Sequence, residues 1–107
     1  MIIATYDRKN LELKVQGHAQ SAEKGEDLIC AAASILVYTL AANVVEMSTD
    51  KKSFRRSKTD LKEGNAVISI APVHGMKSVA TVIFDSICSG FDILAQQYPE
   101  NVRYDVV

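Results

Sequence analysis

The sequence is poor in everything that braces a chain lacking a core. Of its 107 residues only two are cysteine, two proline and five glycine. Cys30 and Cys88 stand far apart, with neither C-x-x-C spacing nor a cluster of histidines beside them, which excludes a disulfide framework and a structural zinc site. The low Gly and Pro content excludes collagen-like and low-complexity chains. With 48% hydrophobic and 23% charged residues, intrinsic disorder is excluded as well. An excess of one charge is also missing, because 12 Lys+Arg face 13 Asp+Glu for a net −1. No global field draws the chain to nucleic acid or to an anionic membrane, and direct contact with either is not expected. Residues 1–7 lack a basic segment followed by a long apolar one, so no secretory signal is expected and a reducing cytoplasm is the expected compartment. The length suits a single domain over 1–107.

One apolar run is long. Leu28 to Val45 carries no charge over 18 residues, the lower limit for a membrane span. Five of those residues are alanine, and Ser34, Thr39 and Asn43 are polar. The run therefore reads as a central buried helix, whose alanines permit close approach in a core or at a dimer seam.

Around it, Ile2–Tyr6 is β-branched and aromatic, and Leu11–Gln16 alternates apolar with polar. Asp7-Arg8-Lys9-Asn10 joins them as a hairpin turn, with Leu11, Leu13 and Val15 facing a core. Residues 17–27 form a polar loop with a glycine near each end. Residues 54–61 and 66–72 make a second hairpin across Glu63-Gly64-Asn65. From Met76 to Tyr98 apolar residues recur at threes and fours, a helix stopped by Pro99, and 102–106 alternates as a last strand. The order β-β-α-β-β-α-β implies an α+β fold, a mainly antiparallel sheet with two helices packed on one face.

The chemistry concentrates in Gly17-His18-Ala19 and in Gly25-Glu26-Asp27-Leu28-Ile29-Cys30-Ala31-Ala32-Ala33-Ser34. With Asp27 as N-cap, Cys30 falls in the first helical turn, where orphan N–H groups and the macrodipole favour a thiolate and an oxyanion. His18 is placed to take the thiol proton and to return it to a leaving amine. Gly17 and Gly25 are the expected hinges of the 17–27 loop, which is expected to move over bound peptide. Ser34, four residues after Cys30, shares its helix face. Each residue also has a plain structural use. Cysteine in an apolar helix is commonly a small hydrophobe, Asp27 a cap, and Ser34 a hydroxyl bonded back to a carbonyl. Cys88 fits the interior of the second helix and His74 its entrance. The basic run Lys51–Lys58 carries five cations and no acid. It reads as a solvated edge strand, with contact to RNA as the sharper alternative.

In order and spacing, G-H-A followed by G-x-D, two apolar residues and C-A-A-x-S resembles the signature of the ribosomal-processing cysteine protease Prp family. Ala33 stands where that family prefers valine, a change in packing rather than chemistry. The resemblance covers the whole chain in length and element order. It implies a cysteine endopeptidase that removes an N-terminal extension from large-subunit ribosomal protein number twenty-seven, after a short hydrophobic stretch containing Phe. It also implies a homodimer that needs no metal or cofactor, with a mobile loop over its site. By position the catalytic histidine maps to His18 and the nucleophile to Cys30, with Asp27, Ala31 and Ser34 as supporting residues. The chief alternative is a non-enzymatic ribosome-associated module using 51–58 on RNA or protein. A thiol-dependent transferase or redox protein is weaker, since no resolving cysteine lies near Cys30.

Overall fold

The computed structural model describes residues 1–17, 24–49 and 52–107, with 24–27 described by backbone alone. In chain order the elements are β1 (Ile2–Asp7), β2 (Glu12–Gln16), α1 (Lys24–Ser48), β3 (Phe54–Lys62), β4 (Asn65–Pro72), α2 (Lys77–Gln97) and β5 (Val102–Val106). This is the expected β-β-α-β-β-α-β order. The strands form one sheet in the order β3-β4-β2-β1-β5. All neighbours are antiparallel except β1 and β5, which pair in parallel from Ile2 against Val102 to Tyr6 against Val106. That parallel pair exists because α2 carries the chain back along the sheet before β5 begins, as a crossover must.

Period-two patterning aims one sheet face at the helices. Ile2, Ala4 and Tyr6 of β1, Leu13 and Val15 of β2, Ala66, Ile68 and Ile70 of β4, and Val102 of β5 are all buried. The helices bury stripes against them: Ile29, Ala33, Val37, Leu40, Ala41 and Val44 from α1, and Ala80, Phe84, Cys88, Phe91 and Leu94 from α2. Phe84 and Phe91 are fully enclosed, and burying each contributes about 1.5–3 kcal/mol of apolar transfer. The helices approach closely where Gly90 faces Leu36. A Cβ at 90 would lie 2.6 Å from a Leu36 methyl. By length and composition both helices could cross a membrane. Both instead pack on a sheet whose edge strands leave backbone groups unpaired, and such edges are not tolerated in hydrocarbon.

Most boundaries fall within a residue of the expectation, and two differences have a physical cause or consequence. β2 starts at Glu12 because Leu11 adopts φ +52°, an unfavourable region for a branched side chain. Leu11 is nevertheless fully buried, and its carbonyl accepts the Ile70 N–H at 3.2 Å. Burial outweighs a local cost of about 1–2 kcal/mol. The second difference bears on chemistry. α1 begins at Lys24, so Asp27 lies inside the helix and is not its N-cap, and Gly25 belongs to the first turn. His18, with the rest of 18–23 in the expected loop, lies outside the described residues.

Candidate active site

β1 and β5 run from the sheet end that holds Met1 and Val102, and β2 returns to it. There the Gly17 N–H donates to the Gly64 carbonyl at 2.9 Å. Gly17 has φ +88°, and a Cβ on it would overlap the Met1 carbonyl oxygen. Glycine is therefore required, and Gly17 anchors the chain directly before His18 rather than leaving it loose. α1 starts at this same end and runs toward the other.

Cys30 is the seventh residue of α1, in its second turn. The expected first-turn position is thus displaced. A helix terminus acts mainly within its first turn, so the macrodipole and orphan N–H groups no longer carry thiolate or oxyanion stabilisation. The thiol is partly buried and packs against the edge of the core. Its helical neighbours divide cleanly. Ile29 and Ala33 point into the core, while Leu28, Ala31 and Ser34 are exposed. Cys30 therefore lies on the margin of α1, partly buried, beside the exposed Ala31 and Ser34. The side chain of Asp27 is outside the described set.

Cys88 has the opposite surroundings. It is 2% exposed inside the α2–sheet interface. Burial pushes its thiol up to about 12, although a hydrogen bond with the Tyr104 hydroxyl acts against that shift. At neutral pH roughly one molecule in 10⁵ would carry this thiolate, too little for a nucleophile. The two cysteines are both thiols, and only Cys30 combines access with the motif. Of the two histidines, His74 sits in the turn between β4 and α2, at the sheet end away from the start of α1. Among the described residues no group of three or more His, Cys, Asp or Glu could hold a metal ion.

One polar cluster escaped the sequence reading. Tyr6 donates its hydroxyl to Asp85 at 2.8 Å, and Arg8 grips the same carboxylate through Nε at 3.1 Å and Nη2 at 3.0 Å. The Arg8 bond, ahead of the Tyr6 bond, holds Asp85 below the usual carboxylate range against the effect of burial. Burial, then the Asp85 hydrogen bond, pushes Tyr6 up. This clamp ties β1 to α2 and touches neither Cys30 nor its face of α1. Its only sequence signal is an acid set directly after Phe84 in an apolar stripe.

Comparison with known proteins is consistent with this arrangement. The sequence profile of the family described as cysteine protease Prp matches residues 1–103. Among solved structures, SMU.848 from Streptococcus mutans is 28% identical, with a TM-score of 0.71 over 100% of this chain and 94% of that one. The essential ribosomal processing protease Prp from Staphylococcus aureus, in complex with a substrate peptide, is 18% identical with a TM-score of 0.72, over 99% and 97% of the two chains. The same staphylococcal protein with a covalently linked product peptide fits equally well. No curated protein matches the chain.

Proposed function

This chain belongs to the cysteine protease Prp family, and from that premise we propose that it removes the N-terminal extension of large-subunit ribosomal protein number twenty-seven, with Cys30 as nucleophile and His18 as general base and acid. Membership makes the protein a protease and displaces the non-enzymatic reading. The observation that carries the residue assignment is the contrast between the thiols: Cys30 is partly exposed within the matching motif, and Cys88 is sealed and held neutral.

His18 takes the proton from Cys30 Sγ, and the thiolate attacks the scissile carbonyl carbon. The tetrahedral intermediate collapses to a thioester as the imidazolium gives its proton to the departing amine nitrogen. Water then loses a proton to His18 and attacks the thioester carbonyl, releasing the carboxylate product and restoring the thiol. The covalently linked product peptide on the staphylococcal relative supports a covalent route. Support for His18 comes from position. It follows the anchored Gly17 at the end where α1 starts, and Cys30 lies about 9 Å along α1 from Lys24 at 1.5 Å per residue. With no first-turn helix field on the sulfur, the imidazole carries its activation. Asp27, Ala31 and Ser34 assist by holding His18 or the peptide. The protein acts in the cytoplasm.

The working unit is a homodimer. Leu28, Ala31, Ile35, Tyr38, Ala42 and Val45 recur at intervals of three and four on α1, all exposed, with Leu28 at 73% and Ile35 at 61%. A sustained apolar stripe at a/d spacing is a helix-packing seam, and a second copy presents the same stripe. Because the seam flanks Cys30, dimerisation shapes the entrance to the site.

Incubating the purified chain with a peptide spanning the extension junction, and reading the products by mass spectrometry, tests the reading. A single new N-terminus is expected, with turnover reduced about 10²–10⁴-fold in His18→Ala while substrate binding is retained. An intact peptide, or unchanged turnover in His18→Ala, would defeat it.

A further inference from the structure

At the sheet end remote from Cys30, the turn between β1 and β2, the start of β3, the end of β4 and the entrance to α2 enclose a cavity of about 1180 Å³. From Cys30 to Ser48 at the distal end of α1 is about 27 Å at the helical rise, so this cleft is spatially distinct from the protease site.

Its lining is strongly basic: Lys9, Arg55, Arg56, Lys58 and Lys77, with His74. Two carboxylates, Asp7 and Glu12, share the cleft, and both are engaged locally. Asp7 accepts the Asn10 backbone N–H at 3.1 Å and its side-chain amide at 2.8 Å. Glu12 faces Lys14 at 3.5 Å. None of the five cations has an acidic partner within salt-bridge distance among the described residues.

Two features of the backbone concentrate this charge. Arg56 and Lys58, alternate residues of β3, share one face of the strand, and both line the cleft with Arg55. The pairing register shifts between Phe54 and Arg56, and such a bulge re-aims side chains. Opposite Arg56 and Lys58 stand the small residues Ala71 and Ser69, over which the long basic side chains can lie. The second feature is the start of α2. Its N-cap Met76 offers no side-chain oxygen, and its first turn contains no acid but does contain Lys77. A cation at the positive end of a helix is unfavourable on its own, and a bound anion relieves it.

We propose that this cleft binds the phosphodiester backbone of a nucleic acid strand. Arg56 and Lys58 are alternate residues of one strand, about 7 Å apart, a repeat close to that of successive phosphates. Two neighbouring guanidinium groups can each grip the two non-bridging oxygens of a phosphodiester through a bidentate fork. The run 51–58 alone reads as a solvated edge strand; Lys9, His74 and Lys77 join it only through the fold. The inference does not depend on which peptide Cys30 cleaves. It places nucleic acid contact and proteolysis at opposite ends of the sheet.

Fluorescence anisotropy of a short labelled RNA, the DNA of the same sequence and a poly-glutamate peptide, across a salt series, tests it. Both oligonucleotides are expected to bind, with affinity falling steeply as salt rises. Joint Arg56→Glu and Lys58→Glu should weaken binding at least roughly tenfold and flatten the log–log salt slope by about 1.4, the loss of two phosphate contacts on a single strand. Joint Lys62→Glu and Arg103→Glu, the same charge change at the other end, should cost less than about threefold. Peptide cleavage by the Arg56/Lys58 variant should be unchanged, which also reports that it is folded. No oligonucleotide binding at about 50 mM salt, equal losses in the two double variants, or tighter binding of poly-glutamate would overturn the proposal.

Discussion

The two helices lie side by side on the same sheet, each with a cysteine, and they treat that residue in opposite ways. α2 spends its aromatic residues on the interior. Cys88 sits between Phe84 and Phe91 in one continuous buried stripe, and its thiol is held neutral. α1 buries mostly small and aliphatic residues, leaves Cys30 at the margin of the core, and keeps a second apolar stripe on the outside. One helix secures the fold, and the other leaves its thiol at the edge of the core, next to an exposed apolar stripe. Under the proposed assignment, reactivity follows from where a helix places its thiol rather than from the thiol's sequence neighbours alone.

The largest effect expected from this contrast is on catalysis. Cys30→Ala should lower peptide cleavage by about four orders of magnitude or more, whereas Cys88→Ala should retain turnover and lose stability through a small cavity. Alkylation near neutral pH, followed by peptide mapping, should label Cys30 first. Labelling of Cys88 ahead of Cys30 would erase the distinction between the helices. The same contrast carries a pH signature. Because Cys88 titrates at about 12 in the folded chain, above an ordinary thiol, its contribution is complete below about pH 9 and declines as the pH rises toward 12. Stability of wild type against Cys88→Ala over that interval measures it.

A smaller effect is expected at the outer stripe of α1. Ile35 is 61% exposed, so Ile35→Glu adds no charge to the core of the single chain. In a dimer joined along α1 it would bury two carboxylates at the seam, weakening association at least roughly 30-fold, a change of about 2 kcal/mol or more. Sedimentation at several concentrations reads this directly. A dimer that tolerates the substitution would move the interface away from α1.

Much of the architecture was legible because its signals are local. Alternation in Leu11–Gln16, the threes and fours from Val79 to Tyr98 and the stop at Pro99 each follow from a single element's exposure to one core. What stayed hidden depends on residues brought together over long separations or on tertiary override. Leu11 takes a left-handed backbone because the core rewards its burial. The extra turn of α1 before Asp27 has no apolar periodicity to announce it, and Asp27 mimics a cap that the backbone does not use. The Tyr6–Asp85–Arg8 clamp and the basic cleft each unite segments more than forty residues apart. At the candidate site, the G-H-A and G-x-D…C spacing singled out His18 and Cys30, while the supposed field of the helix terminus at Cys30 did not survive the true helix start.

The smallest effect, and the one that isolates how α2 is held, concerns Asp85. α2 is tied to β1 through this carboxylate, whereas the side-chain hydrogen bonds from Thr39, Asn43 and Ser48 on α1 return to that helix's own carbonyls. Arg8 and then Tyr6 hold Asp85 ionised below the usual range. A carboxyl group with a depressed folded value stabilises the protein above its unfolded value near pH 4 and loses that contribution as the pH falls through the folded one. Both partners are well exposed, 59% for Arg8 and 39% for Asp85, so solvent screening limits the charged part. Asp85→Asn preserves the shape and removes the charge, and should cost about 1 kcal/mol at pH 7. In urea melts the gap between wild type and variant should narrow as the pH falls below about 4 and through the depressed folded value, where the wild-type carboxyl becomes neutral too. Asp105→Asn is the control. Its bond with Arg103 spans only two residues of one strand at 2.9 Å, and losing it should leave stability unchanged at every pH. A gap at Asp85 that stays undiminished to the acid end of the series would mean that the loss comes from hydrogen bonds the amide cannot accept, and that the carboxylate charge contributes nothing.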